Sequence, residues 1–168
     1  MNDICILYCL IKREMTIYSV KKNILKFFGA YTNPSHGTIY PSLKKMLSEN
    51  IVTVHDVLSN GGKKSSYYSI TDKGEKFFIK LMLSDFSENP SIFLQDINIR
   101  IASMKCLNNE NKKSLIDKCI KSMDLYAITL NRSLNDEYSG LDIFQKSVMM
   151  QTLKQTLQFI EYLKNLKV

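Results

Sequence analysis

Lysine and tyrosine side chains share a stretch without acidic residues in the first third of the 168-residue chain. The sequence has no acidic residue between Glu14 and Glu49. A lysine ammonium binds a phosphate or a carboxylate as a point charge, and a tyrosine adds a hydroxyl donor. The pattern therefore favours an anionic partner, contacted through the side chains that share this stretch: Lys21, Lys22, Lys26, Lys44, Lys45, Tyr18, Tyr31 and Tyr40.

The basic excess of the chain is local. The whole sequence has 23 Lys and Arg against 16 Asp and Glu, a net charge of +7 and a pI near 9.2. Residues 1–85 hold 12 basic and 7 acidic residues, a net +5, whereas residues 86–168 hold 11 and 9, a net +2. Because 45% of the residues are hydrophobic and 23% charged, the composition is that of a folded globular protein and excludes a disordered one.

The motifs of common enzyme classes are absent from the sequence. It has no glycine-rich phosphate loop, no G-x-S-x-G and no H-E-x-x-H. Its two histidines, His36 and His55, have no evident catalytic or metal-binding partners in the sequence. We therefore predict that the chain is not an enzyme and that it needs no cofactor.

The four cysteines are expected to be free thiols. Cys5 and Cys9 are one helical turn apart and could place two thiolates on one metal ion. We favour the interpretation that both are small apolar residues on a buried helix face, since no CxxC pair or nearby histidine completes a site. No apolar run is long enough for a transmembrane helix, and the apolar start lacks the features of a signal peptide. The sequence thus predicts a cytoplasmic protein in a reducing compartment, without a metal site and without a membrane partner.

Apolar spacing and helix-end signals predict the elements that hold the basic residues. Pro41 is compatible with a third helix only if regular helix begins near Gly37 or Thr38, or if its first turn is irregular. The β-branched run 51–58 and the return run 66–70 flank Asn60-Gly61, which indicates a hairpin. We expect helices from Ile4 to about Arg13, from Thr16 to Gly29, from Ser35 to Glu49 and from Asp72 to about Leu83.

The second half is predicted to be helical. A polar connection at 84–91 separates a domain at 1–84 from one at 91–168, with helices at 92–107, 112–135 and 142–166. Apolar residues in the middle helix are spaced alternately four and three, the pattern of a helix packed lengthwise against another helix. The candidate dimerisation residues are Ile116, Ile120, Met123, Ala127, Leu130, Leu134, Leu153, Leu157 and Ile160.

Two sequence motifs resemble those of the PadR family of bacterial transcriptional regulators. Residues 35–43 read SHGTIYPSL and residues 67–74 read YYSITDKG, similar to the G-x-I-Y-P-x-L and Y-x-I-T-x-x-G motifs of that family. The resemblance covers residues 1–80, and the helical tail is similar in pattern to the longer members. It implies a mainly α fold with a small β-hairpin, in which an N-terminal winged helix-turn-helix precedes a C-terminal helical dimerisation domain. It also implies a homodimeric regulator, most often a repressor, that binds an inverted repeat in double-stranded DNA.

The residues predicted to contact DNA lie on the second and third helices and in the wing. In such folds the start of the recognition helix reads base edges, while flanking helices and the wing contact the backbone. Lysines occupy the wing where the family commonly has arginine, which favours phosphate contact over base reading. The candidates are Tyr18, Lys21, Ser35, His36, Thr38, Tyr40, Ser42, Lys44, Lys45, Lys63 and Lys64.

Other interpretations of these residues remain open at this point. Tyr40 is about as compatible with wedging between helices as with touching DNA. A winged helix can also be a structural dock in a protein-interaction module that binds no nucleic acid. A small-molecule effector is left open too, although the sequence lacks the tryptophan that stacks flat ligands in small drug-binding members of the family.

Overall fold

The computed structural model describes residues 1–58, 62 and 64–167. The chain divides into two compact units, of which the first ends at Asn108 and the second begins at Asn109. The first unit contains helices α1 (Asn2–Lys12), α2 (Ile17–Phe28), α3 (His36–Ser48), α4 (Asp72–Leu83) and α5 (Pro90–Ser103), and strands β1 (Met15–Thr16), β2 (Val52–Leu58) and β3 (Lys64–Ile70).

Helix α1 is the centre of the first unit. All of its residues from Ile4 to Leu10 are buried, including both Cys5 and Cys9. The helix packs against α2, α3, α4, α5 and β3, which explains why a helix that is apolar on nearly every side is stable here. The expectation that Cys5 and Cys9 lie on a buried helix face agrees with this position.

Strand β3 lies in the middle of the small antiparallel sheet formed by the described residues, in the order β1-β3-β2. Val52 pairs with Ile70 and Leu58 pairs with Lys64, so β2 and β3 form the predicted hairpin. The two-residue strand β1, which the sequence pattern does not predict, pairs Met15 with Tyr68. This pairing fixes the start of α2 beside the wing hairpin.

The ends of α2 and α4 are set by threonine caps. The Thr16 side chain accepts a hydrogen bond from the Ser19 amide at 3.3 Å, as the sequence predicts for an N-cap. Thr71 accepts from the Gly74 amide at 3.0 Å and donates to the Asn50 carbonyl at 2.8 Å. Thr71 therefore joins the start of α4 to the end of α3.

Helix α3 begins directly after its N-cap Ser35. It starts at His36 and runs through Pro41, so of the two alternatives that the sequence leaves open the irregular first turn is the one observed. Its first turn is irregular, since the Thr38 amide donates to the Ser35 carbonyl three residues back, at 3.1 Å. Pro41 has no amide hydrogen, so the Gly37 carbonyl receives no helical hydrogen bond from it.

A buried arginine joins α5 to the end of α4. Arg100 donates to the carbonyls of Met82 and Ser84, at 3.1 and 2.6 Å, and to the carboxylate of Asp96 at 2.6 Å. Its guanidinium carbon also lies 4.4 Å from the centre of the Phe86 ring. Helix α5 is therefore part of the first unit, and a 3₁₀ turn at Met104–Cys106 follows it.

The second unit contains the helices α6 (Asn109–Asn135) and α7 (Ile143–Lys164). The short connection between them means that the two helices, which pack on each other, run antiparallel as a hairpin. Asp142 and Gln145 form a capping box at the start of α7, with the Gln145 amide donating to Asp142 at 2.8 Å. No helix of the described residues has the length and apolar character needed to cross a bilayer.

The compact units divide at a different place from the predicted domains 1–84 and 91–168. The polar connection at 84–91 suggests a boundary, but Arg100 and the apolar face of α5 pack on the first unit. Which segment binds DNA and which dimerises is a separate question, and that functional division stays a prediction.

Candidate nucleic-acid interface

The start of α3 presents short polar side chains to solvent. Ser35, His36 and Thr38 are exposed, and the Ser35 and Thr38 hydroxyls are 3.1 Å apart. Ile39 and Leu43 point to the opposite side and are completely buried. The spacing of these two apolar residues therefore fixes which face of the helix is free, and Ser42 is half-buried at its edge.

Two tyrosines stand beside this face. Tyr18 is 69% exposed and Tyr40 is 54% exposed, so neither ring is wedged into the core. Both line a recess of about 450 Å³ that is bounded by the start of α2, by α3 and by β3. Exposure of Tyr40 favours the interpretation in which its hydroxyl contacts a partner.

A second recess, of about 300 Å³, lies on the other side of Tyr18. Tyr18, Lys21 and Lys22 line it together with His36 from the start of α3. The fold thus brings together four residues from two separate sequence segments. Three of them, Tyr18, Lys21 and His36, are predicted contact residues, and Lys22 is a fourth that carries the same charge.

The lysines of α2 and α3 are available to an external anion. In the part of the chain that the structure describes, no ion pair involves Lys21, Lys22, Lys44 or Lys45. Lys44 and Lys45 are exposed one turn beyond Tyr40, further along α3. They extend the basic surface along α3, and neither lines the recesses beside Tyr18.

The wing lysines differ from those of the helices. Lys64 is exposed but its ammonium lies 2.8 Å from the carboxylate of Asp56 on the paired strand. The hydrogen bond from Lys64, with a second one from Ser66 at 2.6 Å, lowers the pKa of Asp56. The charge of Lys64 is therefore partly neutralised within the wing. Lys63, like the Asn60-Gly61 turn, lies outside the described residues.

Tyr68 is a further residue of this site, and it is not among the predicted contact residues. Tyr68 is 8% exposed, and it lines the same recess as Tyr18 and Tyr40. Burial raises the pKa of its hydroxyl, and Tyr40 and Asp56 nearby raise it further. The alternation of β3, which turns Tyr67 to the face of His55 and Tyr68 to the other, is the signal that could have found it.

The predicted dimerisation residues differ in exposure. Most of the α6 seam is already covered within one chain, since Ile116, Met123, Ala127 and Leu130 are buried. Leu157 is 52% exposed, whereas Ile160 is buried. The remaining candidates, Ile120, Leu134 and Leu153, have intermediate exposure.

A second set of apolar side chains in this unit faces solvent. Ile143, Met150 and Leu157 follow one another at intervals of seven along α7, and all three are exposed. Phe144 and Val148, also exposed, line an open apolar groove of about 540 Å³ with Tyr126 and Leu130 of α6. Of this second stripe, Leu157 is a predicted dimerisation residue, whereas Ile143 and Met150 are not among the predicted ones.

Comparison with known families identifies the kind of protein that has this fold. Residues 6–80 match the model of the transcriptional regulator PadR-like family. This segment belongs to the PadR-like family. The predicted resemblance and the winged-helix fold are thereby confirmed. Since the PadR-like family consists of transcriptional regulators and not of enzymes, the prediction that the chain is no enzyme is confirmed as well.

Solved PadR-like structures are similar to the chain over different lengths. Bacillus subtilis PadR, solved in complex with operator DNA, is 18% identical over 97% of this chain and 95% of its own, with a TM-score of 0.49. The Streptococcus mutans protein smu.1604c is 24% identical over 98% and 96%, with a TM-score of 0.47. A PadR-like regulator from Bacillus cereus is 32% identical over 47% and 75%, with a TM-score of 0.41. The comparison with curated proteins found no match.

Proposed function

We propose that the chain is a sequence-specific DNA-binding transcriptional regulator whose winged helix contacts the major groove through α3. The observation that carries this proposal is the exposed cluster of Tyr18, Lys21, His36 and Tyr40, which α2 and α3 bring to one side of a PadR-like domain. Short polar side chains at the start of a recognition helix suit base edges, and lysines beside them suit phosphates.

The electrostatics of the cluster favour a polyanion. Lys21, Lys22, Lys44 and Lys45 have no carboxylate partner among the described residues, so an external anion can neutralise them. If roughly 6–10 phosphates are contacted, affinity should fall on the order of 10³–10⁵-fold between about 50 and 200 mM salt. A steep salt dependence is therefore part of the proposal.

A gel shift with DNA from upstream of the protein's own gene tests this function. We expect a shift that survives excess nonspecific competitor and weakens steeply with salt.

Replacing Lys63 and Lys64 together by alanine should weaken the binding of all DNA sequences alike and flatten the dependence of affinity on salt, because wing lysines contact phosphates. Lys64→Ala alone should act less than Lys44→Ala, since Asp56 already neutralises Lys64. Absence of a competitor-resistant shift would instead support a protein-interaction module.

The functional form that we propose is a homodimeric repressor. The exposed stripe of Ile143, Met150 and Leu157 has the seven-residue spacing of a helix that packs against a partner helix. A second copy would cover this stripe, and its two-fold axis would present two recognition helices to an inverted repeat. A small-molecule effector stays an expectation from the sequence.

Sedimentation analysis of Met150→Glu tests the dimer. A carboxylate in the middle of the stripe would be buried without a partner, so we expect this variant to sediment as a monomer. Gln158→Glu introduces the same charge on the polar face of α7 and should remain dimeric. Dimers of equal strength in both variants would contradict the assignment of this stripe.

A further inference from the structure

The recess between α2, α3 and the wing is lined by tyrosines and not by lysines. It measures about 450 Å³ and is bounded by Thr16–Tyr18, by Tyr40, and by Ser65, Ser66 and Tyr68 of β3. Three tyrosines from three different elements therefore surround one recess. Its mouth opens beside the exposed rings of Tyr18 and Tyr40, on the side of the domain that we propose faces DNA.

The innermost of the three tyrosines has an unused hydroxyl. Tyr68 is more than nine-tenths buried, yet its hydroxyl has no hydrogen-bond partner among the residues that the structure describes. The hydroxyl lies near Tyr40, which together with burial raises its pKa, so it stays a neutral donor. Because Tyr68 lines the recess, this donor is free for an acceptor that enters from outside.

The start of α2 adds a donor to the same recess. The Thr16 side chain caps the Ser19 amide and the pairing of β1 with β3 engages the Ile17 amide, so the Tyr18 amide is the one in this turn without an acceptor in the helix. Tyr18 lines the recess, and the positive end of the helix dipole is located there. Amide donors at the start of a helix are suited to phosphate oxygens.

The nearest carboxylate does not oppose an anion at this place. Asp56 lies close enough to Tyr68 to influence its pKa. Its charge is balanced by the Lys64 ammonium at 2.8 Å, and the Ser66 hydroxyl donates to it at 2.6 Å. Ser66 is thereby occupied, whereas no hydrogen bond in the described part of the chain engages the Ser65 hydroxyl.

We propose that this recess seats one backbone phosphate of DNA, held by the hydroxyls of Tyr68 and Tyr40 and by the amide of Tyr18. The inference deepens the proposed function and rests on it. The recess supplies donors from three elements, so a phosphate seated there fixes the wing, α2 and α3 in one register on the duplex. The lysines add attraction at long range, while the tyrosines determine which phosphate is held.

Phosphate-by-phosphate substitution tests the seat. The probe is a duplex selected from random sequence by the full-length protein, in which single phosphates are replaced by neutral methylphosphonates. One position in each half-site should weaken binding of the unmodified protein. Tyr68→Phe should weaken binding of the unmodified duplex about tenfold for each half-site, and it should lose sensitivity to that position alone.

Tyr67→Phe is the matched control, because it removes a hydroxyl from the adjacent residue of β3 on the opposite face of the strand. It should leave both the affinity and the methylphosphonate pattern unchanged. If Tyr68→Phe unfolds at a lower temperature than the parent, Tyr40→Phe provides a second readout, because it removes the other hydroxyl that holds the phosphate.

The outcomes separate the two proposals. If Tyr68→Phe bound DNA with the affinity of the parent, the phosphate seat would be wrong. It would also be wrong if the variant bound more weakly but kept the parent's sensitivity to every methylphosphonate position. In both cases the proposal of DNA binding would stand. Failure of the unmodified protein to select any duplex would overturn the proposed function and the seat together.

Discussion

Position 74 requires glycine because the neighbouring atoms leave no room for a side chain, and not because of its backbone conformation. A methyl group at this position would collide with the Ile51 carbonyl oxygen and would lie 2.6 Å from Cγ1 of Ile70. The Gly74 amide is also held by Thr71 at 3.0 Å, so the first turn of α4 cannot move away. The glycine of the second motif thus permits α4 to lie directly against the end of α3.

We expect Gly74→Ala to lower the free energy of unfolding by about 1–3 kcal/mol, as overpacking against backbone does. Gly37→Ala is the control, because a methyl group there meets only the Ser35 hydroxyl oxygen at 3.5 Å. Denaturant titration of the two variants compares them directly. If the free energies of unfolding of Gly74→Ala and Gly37→Ala were equal, α4 would have shifted to make room for the methyl group at position 74.

The thiols of Cys5 and Cys9 are held in their protonated form. Burial raises the pKa of each to about 12, from an ordinary value of 9.0, and Cys9 also raises that of Cys5. A raised pKa contributes stability that is complete below the unfolded value and is lost as pH rises towards the folded one. Stability should therefore decline from about pH 9 upwards.

Alkylation followed by mass spectrometry checks the thiols. At pH 8 iodoacetamide should modify Cys5 and Cys9 only after unfolding, while the half-exposed Cys106 reacts first and serves as the internal control. Rapid labelling of Cys5 in the folded protein would contradict the burial of α1.

At the scale of elements, the periodicity of apolar residues predicts helices and their buried faces. It does not predict elements that are held only by pairing with a segment far away in the sequence. The apolar spacing of Ile39 and Leu43 was enough to place α3 and its exposed face. Strand β1 was missed because its two residues are held only by pairing with β3. Tyr68 was missed for a similar reason, since the recess around it forms from three separate segments.

The buried pair of Asp96 and Arg100 is another feature of the elements that was not predicted. They are the only charged residues between Asn89 and Met104 and are four positions apart, which predicts a pair on one helix face. Their burial could not be predicted, because it depends on the carbonyls at the end of α4 that Arg100 binds.

At the scale of the whole molecule, the buried pair of Asp96 and Arg100 determines how long a fragment must be for the first unit to fold stably. Fragment 1–84 would lose α5, whose Ile97 and Ile99 are completely buried, and would leave the end of α4 without its arginine. We expect fragment 1–108 to unfold cooperatively and fragment 1–84 to unfold at a clearly lower temperature. Thermal unfolding followed by circular dichroism compares the two, and equal midpoints would show that α5 is dispensable.

Charge and apolar exposure are divided between the two units. Lys21, Lys22, Lys44 and Lys45, which enter no ion pair among the described residues, lie on α2 and α3 in a stretch without acidic residues, whereas the exposed stripe of Ile143, Met150 and Leu157 lies on α7. Composition alone predicted the first part of this division through the local basic excess. The exposed stripe required the structure, because an apolar heptad in a sequence does not say whether its own chain covers it.

Pro41 illustrates a trade-off between stability and recognition. A proline inside a helix removes one hydrogen bond and costs up to about 3 kcal/mol, so the sequence of α3 is not the most stable one for its fold. The same residue restricts the backbone of Tyr40, which precedes it, and so helps to fix the segment that we propose contacts DNA bases. Pro41→Ala should raise the unfolding temperature and at the same time lower the preference for the operator over random DNA, as measured by competition binding. Variants selected for thermal stability alone should therefore lose this proline and, with it, part of their sequence discrimination.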